Sequence, residues 1–471
     1  MKRRGFQPDA ATYSTMLHGM AQIESKEWPN NQENLERCHK LYNAFEKLVQ
    51  TGEAQKTSAR TTYFQVLGRS GNYQKMFDLF YKEDGTLPRD KALYTVLFNA
   101  LLWRKETDKL GNLTLQEQNA SDAKFLWRVL EKDVEGGMEI DAHLLRPFIK
   151  LMAAGRPVDQ QFGLKVVRDY FGLAAPGEPT PTPRVTMNSN CLHAILELCN
   201  KAKKFRLCAY FFKEVMATKQ IERNSKFSSD LTIGTRHVNE QLIALAQLAS
   251  VGSTDEAAHA VDAVRFLKQT TALKAVKPPT RTNEWDEDTT LQPETVKLAL
   301  AVCWRCGDWE SATQIFSLAT DLRAEDFLDD GPIAKESEKP FIPGSGRMVD
   351  IAAFSYLTRI ALSTKDKAKM RQALRMMYIY GIGPGAFVTH YNFYKIELAK
   401  TILKLLDAAA SSDQPGDEKK WKYLKQESRE ALSKRVMVER PESEEDGLGS
   451  QKYISKLQQA IDFELASRSS S

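Results

Sequence analysis

The chain has 471 residues, 42% of them hydrophobic and 27% charged, and a formal net charge of +5 at pH 7. This composition argues against a largely disordered chain, and the weak basic excess permits a polyanionic partner without requiring one. Six cysteines are few for a chain of this length, which argues against a disulfide framework. The sequence has no apolar run of about 18 residues, which argues against a membrane-spanning helix.

Helical periodicity dominates the sequence, and the predicted helices come in pairs. Apolar residues recur at three- and four-residue spacing, which gives each helix one apolar stripe. One pair cannot bury its stripes alone, whereas stacked pairs can, so we expect at least six pairs and no sizeable sheet. In chain order the predicted pairs are 11–21 with 33–50, 58–68 with 73–82, 92–103 with 121–134, 141–153 with 158–171, 190–201 with 205–216, 235–249 with 254–268, 293–306 with 309–318, and 350–362 with 367–380.

The regularity of the pairs changes along the chain and suggests four regions. Residues 1–153 carry clear repeats that start within a repeat, so we expect a fragment or an internal start. Residues 154–380 carry divergent repeats, 381–466 a helical extension with helices at 390–410 and 418–434, and 467–471 a disordered tail. Polar insertions are expected as surface loops, or alternatively as partner-docking elements, at 105–119, 174–183, 221–231, 275–292 and 323–347.

Two kinds of short segment carry a family resemblance. Gly-Phe-Gln-Pro-Asp-Ala-Ala-Thr-Tyr at 5–13 and Leu-Pro-Arg-Asp-Lys-Ala-Leu-Tyr at 87–94 combine a turn that ends in Asp with a helix opening, and 138–141 is a weaker copy. Gly-Arg-Ser-Gly-Asn at 68–72 and Arg-Cys-Gly-Asp at 305–308 are similar turns within a pair. These segments resemble the junctions and turns of pentatricopeptide repeats, clearly over 1–153 and diffusely from about 185 to 380.

The resemblance implies an all-α fold, a right-handed superhelical solenoid of antiparallel helix pairs. It also implies a mitochondrial (matrix) protein, closest to divergent fungal members and, within these, to small-subunit rRNA processing factors. Proteins of this family bind single-stranded RNA, and each repeat places two or three side chains against one base.

Carried onto this chain, the family's base-reading positions fall early in the first helix of each pair and in the turn before it. The helix positions are Ser14, Thr95, Arg146, His193, Asn239, Lys297 and Ser355, with Thr61 or Phe64 in the second repeat. The turn positions are Asp90 and Asp141, which are equally well explained as helix N-caps. Arg146 and His193 also suit the surface or a phosphate, and Lys297 suits a phosphate better than a base.

Two basic clusters are candidates for phosphate contacts. They contain Lys201, Lys203, Lys204 and Arg206 in one case, and Lys367, Lys369 and Arg371 in the other. Such contacts provide affinity without sequence preference. The alternative for each cluster taken alone is a solvated charged face.

The sequence gives no sign of catalysis. Cys303 and Cys306 form a lone CxxC without a second pair of ligands, and the glycine-rich stretch 381–385 follows a helix rather than a strand. We therefore expect no enzyme, catalytic residue, metal, cofactor or small-molecule substrate.

The expected function is sequence-selective binding of single-stranded RNA in mitochondria. The RNA-binding protein would act in RNA processing, stability or translation, with 5′ processing of small-subunit rRNA as the most specific expectation. The alternative is a helical scaffold that uses the same surface for protein contacts on the mitochondrial small ribosomal subunit.

Overall fold

The structure, a computed structural model, describes most of the chain. The described residues are 8–23, 28, 32–51, 58–81, 89–104, 114–221, 231–249, 256–276, 292–320, 322–332, 349–380, 393–409 and 417–438. The predicted glycine-rich stretch 381–385, the tail 467–471 and most of the predicted insertions lie outside them.

The described residues form eighteen α-helices and contain no β-strand, so the expected all-α class is confirmed. A short 3-10 helix, Ala324–Phe327, follows α14. The helices are α1 (Ala10–Ala21), α2 (Gln32–Gln50), α3 (Ser58–Arg69), α4 (Tyr73–Tyr81), α5 (Lys91–Trp103), α6 (Leu115–Glu135), α7 (Ala142–Ala154), α8 (Pro157–Phe171), α9 (Ser189–Lys201), α10 (Phe205–Ile221), α11 (Thr235–Ala249), α12 (Glu256–Val276), α13 (Pro293–Cys306), α14 (Trp309–Thr320), α15 (Ile351–Ser363), α16 (Lys367–Tyr380), α17 (Phe393–Ala409) and α18 (Asp417–Val438).

One helix begins well before its predicted start. α6 begins at Leu115, inside the predicted insertion 105–119. Thr114 and Glu117 form a capping box there: the backbone N–H of Thr114 donates to Glu117 Oε2 at 2.8 Å, and the N–H of Glu117 donates to Thr114 Oγ1. The pattern Thr-x-x-Glu is visible in the sequence and would have corrected the prediction.

Five of the odd-numbered helices start in the same way. The residues before α1, α5, α7, α9 and α15 have extended backbone and short polar side chains that accept a hydrogen bond from an N–H in the first turn. Each therefore satisfies one of the donors that a helix start leaves open. These cap residues are Asp9, Asp90, Asp141, Asn188 and Asp350.

Contacts divide the chain into two compact units, Met1–Leu298 and Ala299–Ser471. The predicted change at residue 153 falls within the first unit, where helices from both sides of it pack on one another.

In the first unit, each odd-numbered helix from α1 to α9 packs closely on the next odd-numbered helix. Small residues allow this approach: a Cβ on Gly68 of α3 would lie 2.6 Å from Ala100 Cβ of α5. Helices α1, α3, α5, α7, α9 and α11 therefore pack on one another in chain order.

The even-numbered helices reach each other through aromatic side chains instead. Tyr81 of α4 contacts Phe125 of α6 with ring centroids 5.7 Å apart, and Phe212 of α10 contacts Phe266 of α12 at 5.2 Å. Trp127 of α6 contacts Phe162 and Tyr170 of α8 with ring centroids 6.4 and 5.7 Å apart. Large rings thus fill the spaces between helices whose backbones approach less closely.

Four turns that join an odd-numbered helix to the next even-numbered one have the same geometry. Their residue with left-handed backbone is Gly71, Lys203, Gly307 or Lys365. In each, its N–H donates to the carbonyl three residues earlier, as Gly71 does to Gly68 and Lys203 to Asn200. This is a Schellman-type helix ending, which normally takes glycine. Lysine in two of the four turns is therefore unexpected.

The second unit contains a buried charged cluster. Arg375 of α16 is fully buried and donates to Asp417 of α18 at 2.6 Å and to Asp329 at 2.8 Å. It also donates to the carbonyl of Phe327, and Lys420 pairs with Asp417 at 3.1 Å. These bonds join α16, α18 and the segment after the 3-10 helix.

Across the described helices of both units, none combines the length and apolarity needed to cross a bilayer.

Candidate nucleic-acid interface

The predicted base-reading positions on helices occupy one structural register. Each of the seven is the fifth residue of its odd-numbered helix, so each lies at the same height above its helix start. The seven are Ser14, Thr95, Arg146, His193, Asn239, Lys297 and Ser355.

The same register assigns the residue that the sequence left open in α3. The fifth residue of α3 is Thr62, which is half-buried. Phe64 is fully buried in the core, and Thr61 is the fourth residue. Thr62 therefore replaces both sequence candidates, and only the start of α3 could have revealed it.

Burial separates Ser355 from the other positions. Its side chain is fully buried in the second unit, so its hydroxyl cannot reach a base and the sequence prediction is wrong for this residue. The other six positions are half-buried, with part of each residue accessible at the surface. The sequence register could not anticipate this because burial at Ser355 depends on tertiary packing.

Two predicted residues each contact Lys91, the first residue of α5. The hydroxyl of Thr95 donates to the carbonyl of Lys91 at 2.8 Å, and Nζ of Lys91 lies 3.2 Å from Asp141 Oδ2. The start of α7 thus lies beside the start of α5, as a two-residue reading of one base requires. The side chain of Asp141 remains 34% exposed.

Both predicted turn residues are helix caps. Asp90 Oδ1 accepts from the N–H of Leu93 at 2.8 Å, and Asp141 Oδ1 accepts from the N–H of Leu144 at 2.9 Å. Only Oδ1 is used for capping, so the second carboxylate oxygen does not take part in it. Sequence reasoning missed three equivalent residues, which the cap pattern could have shown: Asp9, Asn188 and Asp350.

A charged stripe crosses α7, α9 and α11, and we call it the α7–α11 stripe. Lys150 of α7 lies 3.8 Å from Glu197 of α9, which also pairs with Lys201 at 2.7 Å. His193 lies 3.8 Å from Glu240 of α11, whose carboxylate accepts from Asn200 at 2.7 Å. The stripe comprises these side chains together with Arg146 and Arg236.

The stripe carries a positive excess. Burial, followed by the charge of Lys150, lowers the pKa of His193 to about 4, so this imidazole is neutral at pH 7. Burial tends to raise the pKa of Glu197, but the hydrogen bond and charge of Lys201 and the charge of Lys150 hold it below its usual value. Glu197 is therefore charged, and four cations face two carboxylates. The four cations are Arg146, Lys150, Lys201 and Arg236.

Two further base-reading candidates, Lys297 and Asn239, differ in how their polar groups are paired. Lys297 pairs with Glu294 one turn earlier, so its charge is partly neutralised within α13. Oδ1 of Asn239 is buried and accepts no hydrogen bond from the described residues.

The two predicted basic clusters differ in how far their charges are available. Lys203, Lys204 and Arg206 are exposed and form no ion pair with another described residue, whereas Lys201 belongs to the stripe. In the second cluster Lys367 is exposed and Lys369 half-buried. Arg371, however, is held by Asp329 through two hydrogen bonds and is not available to a phosphate, so the sequence prediction is wrong for it.

The cysteine pair lies at the end of α13, with Cys303 buried and Cys306 half-buried. In the described part of the chain, no three His, Cys, Asp or Glu side chains come together as a set that could hold a metal ion.

Comparison of the chain with models of known protein families gives no match, and no curated protein matches it.

Proposed function

We propose that the chain binds single-stranded RNA along the face formed by the odd-numbered helices α1 to α11 of its first unit. The shared register of the fifth residues carries this proposal, because it offers a row of side chains at regular positions on successive helices. A row of this kind suits a strand that presents one base after another. The net positive α7–α11 stripe lies on the same helices and suits the phosphates.

We further propose that the helix pairs of the first unit form a right-handed solenoid. Its odd-numbered helices pack closely, while its even-numbered helices touch through large aromatic rings. A two-layered stack with unequal spacing must curve toward its tighter layer. The odd-numbered helices would then line the concave side, which is the extended binding surface of such proteins.

The biological role follows from the resemblance to pentatricopeptide repeats. We propose a non-catalytic protein of the mitochondrial matrix that acts on a transcript or on an rRNA precursor, with small-subunit rRNA as the first candidate. The long insertions and irregular base-reading set favour the alternative scaffold role, whereas the register and the stripe favour RNA.

The first test removes two cations from the α7–α11 stripe. We expect the full chain to bind single-stranded RNA of about 20 nucleotides more tightly than a duplex of the same length, with affinity that falls steeply with salt. Arg146→Gln with Lys150→Gln should weaken binding to all sequences alike. The slope of log affinity against log salt should fall by about 1.4, because each phosphate contact on a single strand contributes about 0.7. Fluorescence anisotropy over a salt series measures both quantities.

The matched control lies on an even-numbered helix. Arg128 and Lys132 of α6 have the same residue types and the same spacing as Arg146 and Lys150, and both are exposed. Arg128→Gln with Lys132→Gln should leave the salt slope close to that of the unchanged chain. Equal losses in the two double variants would show that binding follows overall charge and would contradict the proposed face.

The second test concerns base preference at Asp141. A carboxylate only accepts hydrogen bonds, and guanine offers two donors on its Watson–Crick edge, so Asp141 should favour guanine. Asp141→Asn supplies a donor and an acceptor, which suits adenine. We expect the preference at one nucleotide to move from guanine toward adenine by about 1–3 kcal/mol. Oligonucleotides varied at single positions measure the shift.

Stability provides the control for this variant. Asparagine caps a helix about as well as aspartate, so the α7 cap should survive, and only the exposed ion pair with Lys91 is lost. An unchanged base preference at every position would show that Asp141 is a cap without a reading role.

A further inference from the structure

A cleft of about 1120 Å³ lies among α8, the connection to α9, the turn from α9 to α10, and the start of α10. We call it the α8–α10 cleft. Its lining comes mainly from even-numbered helices, and α11 contributes only Leu248. The cleft is therefore separate from the row of fifth residues on the odd-numbered helices.

Cationic side chains surround the cleft. Five of them line it, against one carboxylate, Glu178. Arg168 is partly neutralised by Asp169 at 3.2 Å, but the other four form no ion pair with another described residue. The five are Lys165, Arg168, Lys203, Lys204 and Arg206.

The interior of the cleft is apolar and its wall is fixed. Leu164, Leu173, Leu207 and Phe211 line it. The segment 174–183, predicted as an insertion, forms one wall of the cleft. It is held against α8 because the N–H groups of residues 184 and 185, which follow it, donate to the carbonyl of Tyr170 at 2.8 and 3.0 Å. Few neutral hydrogen-bonding side chains line the cleft, so it is poorly suited to reading the edge of a base.

Lys203 places a cationic side chain at a strained backbone position. It adopts φ 56° where the equivalent turn after α3 has Gly71. Left-handed backbone is unfavourable for a residue with a Cβ, so folding of this turn does not require lysine. The side chain placed there lines the cleft.

We propose that the α8–α10 cleft binds an acidic segment of a partner protein, with apolar anchor side chains in the cleft and carboxylates on its cationic rim. The charge of the rim selects an acidic chain, and the aliphatic interior selects leucine-like or phenylalanine-like anchors over bases. This inference does not rest on the proposed RNA binding, because the two sites share none of the residues tested.

The experiment uses the full chain and short fluorescein-labelled peptides in which aspartate and glutamate flank a pair of leucine or phenylalanine residues. We expect anisotropy to report saturable binding, and Lys204→Glu with Arg206→Glu to weaken it about tenfold or more. Peptides with serine in place of the anchors should bind much more weakly. A single-stranded RNA of similar charge should not displace the peptide.

Lys203→Gly distinguishes a binding role from a folding defect. Glycine relieves the left-handed strain, so the folding equilibrium constant of the variant should be about threefold to tenfold larger. The variant should bind the peptide less tightly, because it lacks the Lys203 cation. Lys365→Gly is the matched control, since Lys365 has the same φ of 56° in the second unit and lies outside the lining of this cleft. It should gain stability and leave peptide affinity unchanged.

Three results would overturn the proposal. The first is that no peptide binds saturably, and the second is that Lys204→Glu with Arg206→Glu leaves the peptide affinity unchanged. The third is that RNA displaces the peptide and that this double variant also loses RNA binding. The last would make the cleft a phosphate site, while the variants of Arg146 and Lys150 would still test the proposed RNA face separately.

Discussion

Asp417→Asn should destabilise the second unit by about 3–5 kcal/mol, the cost of removing one partner from a buried ion pair. Asp417 is almost fully buried, and it pairs with Arg375 and Lys420, which are buried as well. Asparagine keeps the size of the side chain but removes its charge, so Lys420 would lose its carboxylate partner and Arg375 would keep only Asp329, which also pairs with Arg371. Hydrogen exchange of the amides in α16 and α18 measures the loss locally.

The control for this variant is Asp329→Asn. Asp329 contacts Arg375 and Arg371 but is 28% exposed, and after the substitution Arg375 would keep its ion pair with Asp417. We expect a cost clearly below that of Asp417→Asn. Equal costs would mean that burial of Asp417 does not set the strength of the cluster.

The pH dependence of the unchanged chain has a defined sign. Burial alone would raise the pKa of Asp417, but hydrogen bonds and charges from Arg375 and Lys420 lower it overall. The hydrogen bond from Arg371, reinforced by Arg375, lowers the pKa of Asp329 to about 2. Stability from these groups is therefore complete above the unfolded pKa of about 3.9 and is lost as pH falls toward 2. The difference between the unchanged chain and Asp417→Asn should shrink over that window.

Trp127→Ala should destabilise the first unit by about 3–5 kcal/mol, the usual cost of truncating a buried tryptophan. The ring is 1% exposed and lies among aromatic side chains of α7 and α8. Its Nε1 also donates to Glu131 at 2.9 Å. Alanine would leave a cavity where α6, α7 and α8 meet, and hydrogen exchange of these helices should report it.

Phe125 of the same helix is the matched control. Its side chain is 53% exposed and contacts Tyr81 edge to face. Phe125→Ala should cost no more than about 1.5 kcal/mol, because an exposed ring loses little on truncation and an aromatic pair contributes about 0.5–1.5 kcal/mol. A larger loss for Phe125→Ala than for Trp127→Ala would contradict the packing described for α6.

The helices were predicted well because a helix is defined by patterns within one short stretch of sequence. Apolar periodicity and cap residues such as Asp90 and Asp141 fix most helix ends to within a few residues. The start of α6 was missed only because its capping box was overlooked. The seven helix positions that the family resemblance implies all fall on fifth residues because of these same helix starts.

Features that join distant residues were not predicted. Arg371 resembled a free cation in the sequence, but its partner Asp329 lies 42 residues away in a segment expected to be an insertion. The burial of Ser355 and the pairing of Arg375 with Asp417 depend equally on tertiary packing. Charge patterns in one segment cannot reveal partners that only folding brings near.

The packing of the first unit has a consequence for how it folds. Its main helix contacts join helices that are adjacent or next-but-one in the chain, which gives low contact order. Proteins of low contact order form their contacts quickly, since little loop-closure entropy is lost before each contact forms. A helix emerging from the ribosome would find its docking partners already made, so this unit is suited to assembly from its N-terminal end during synthesis.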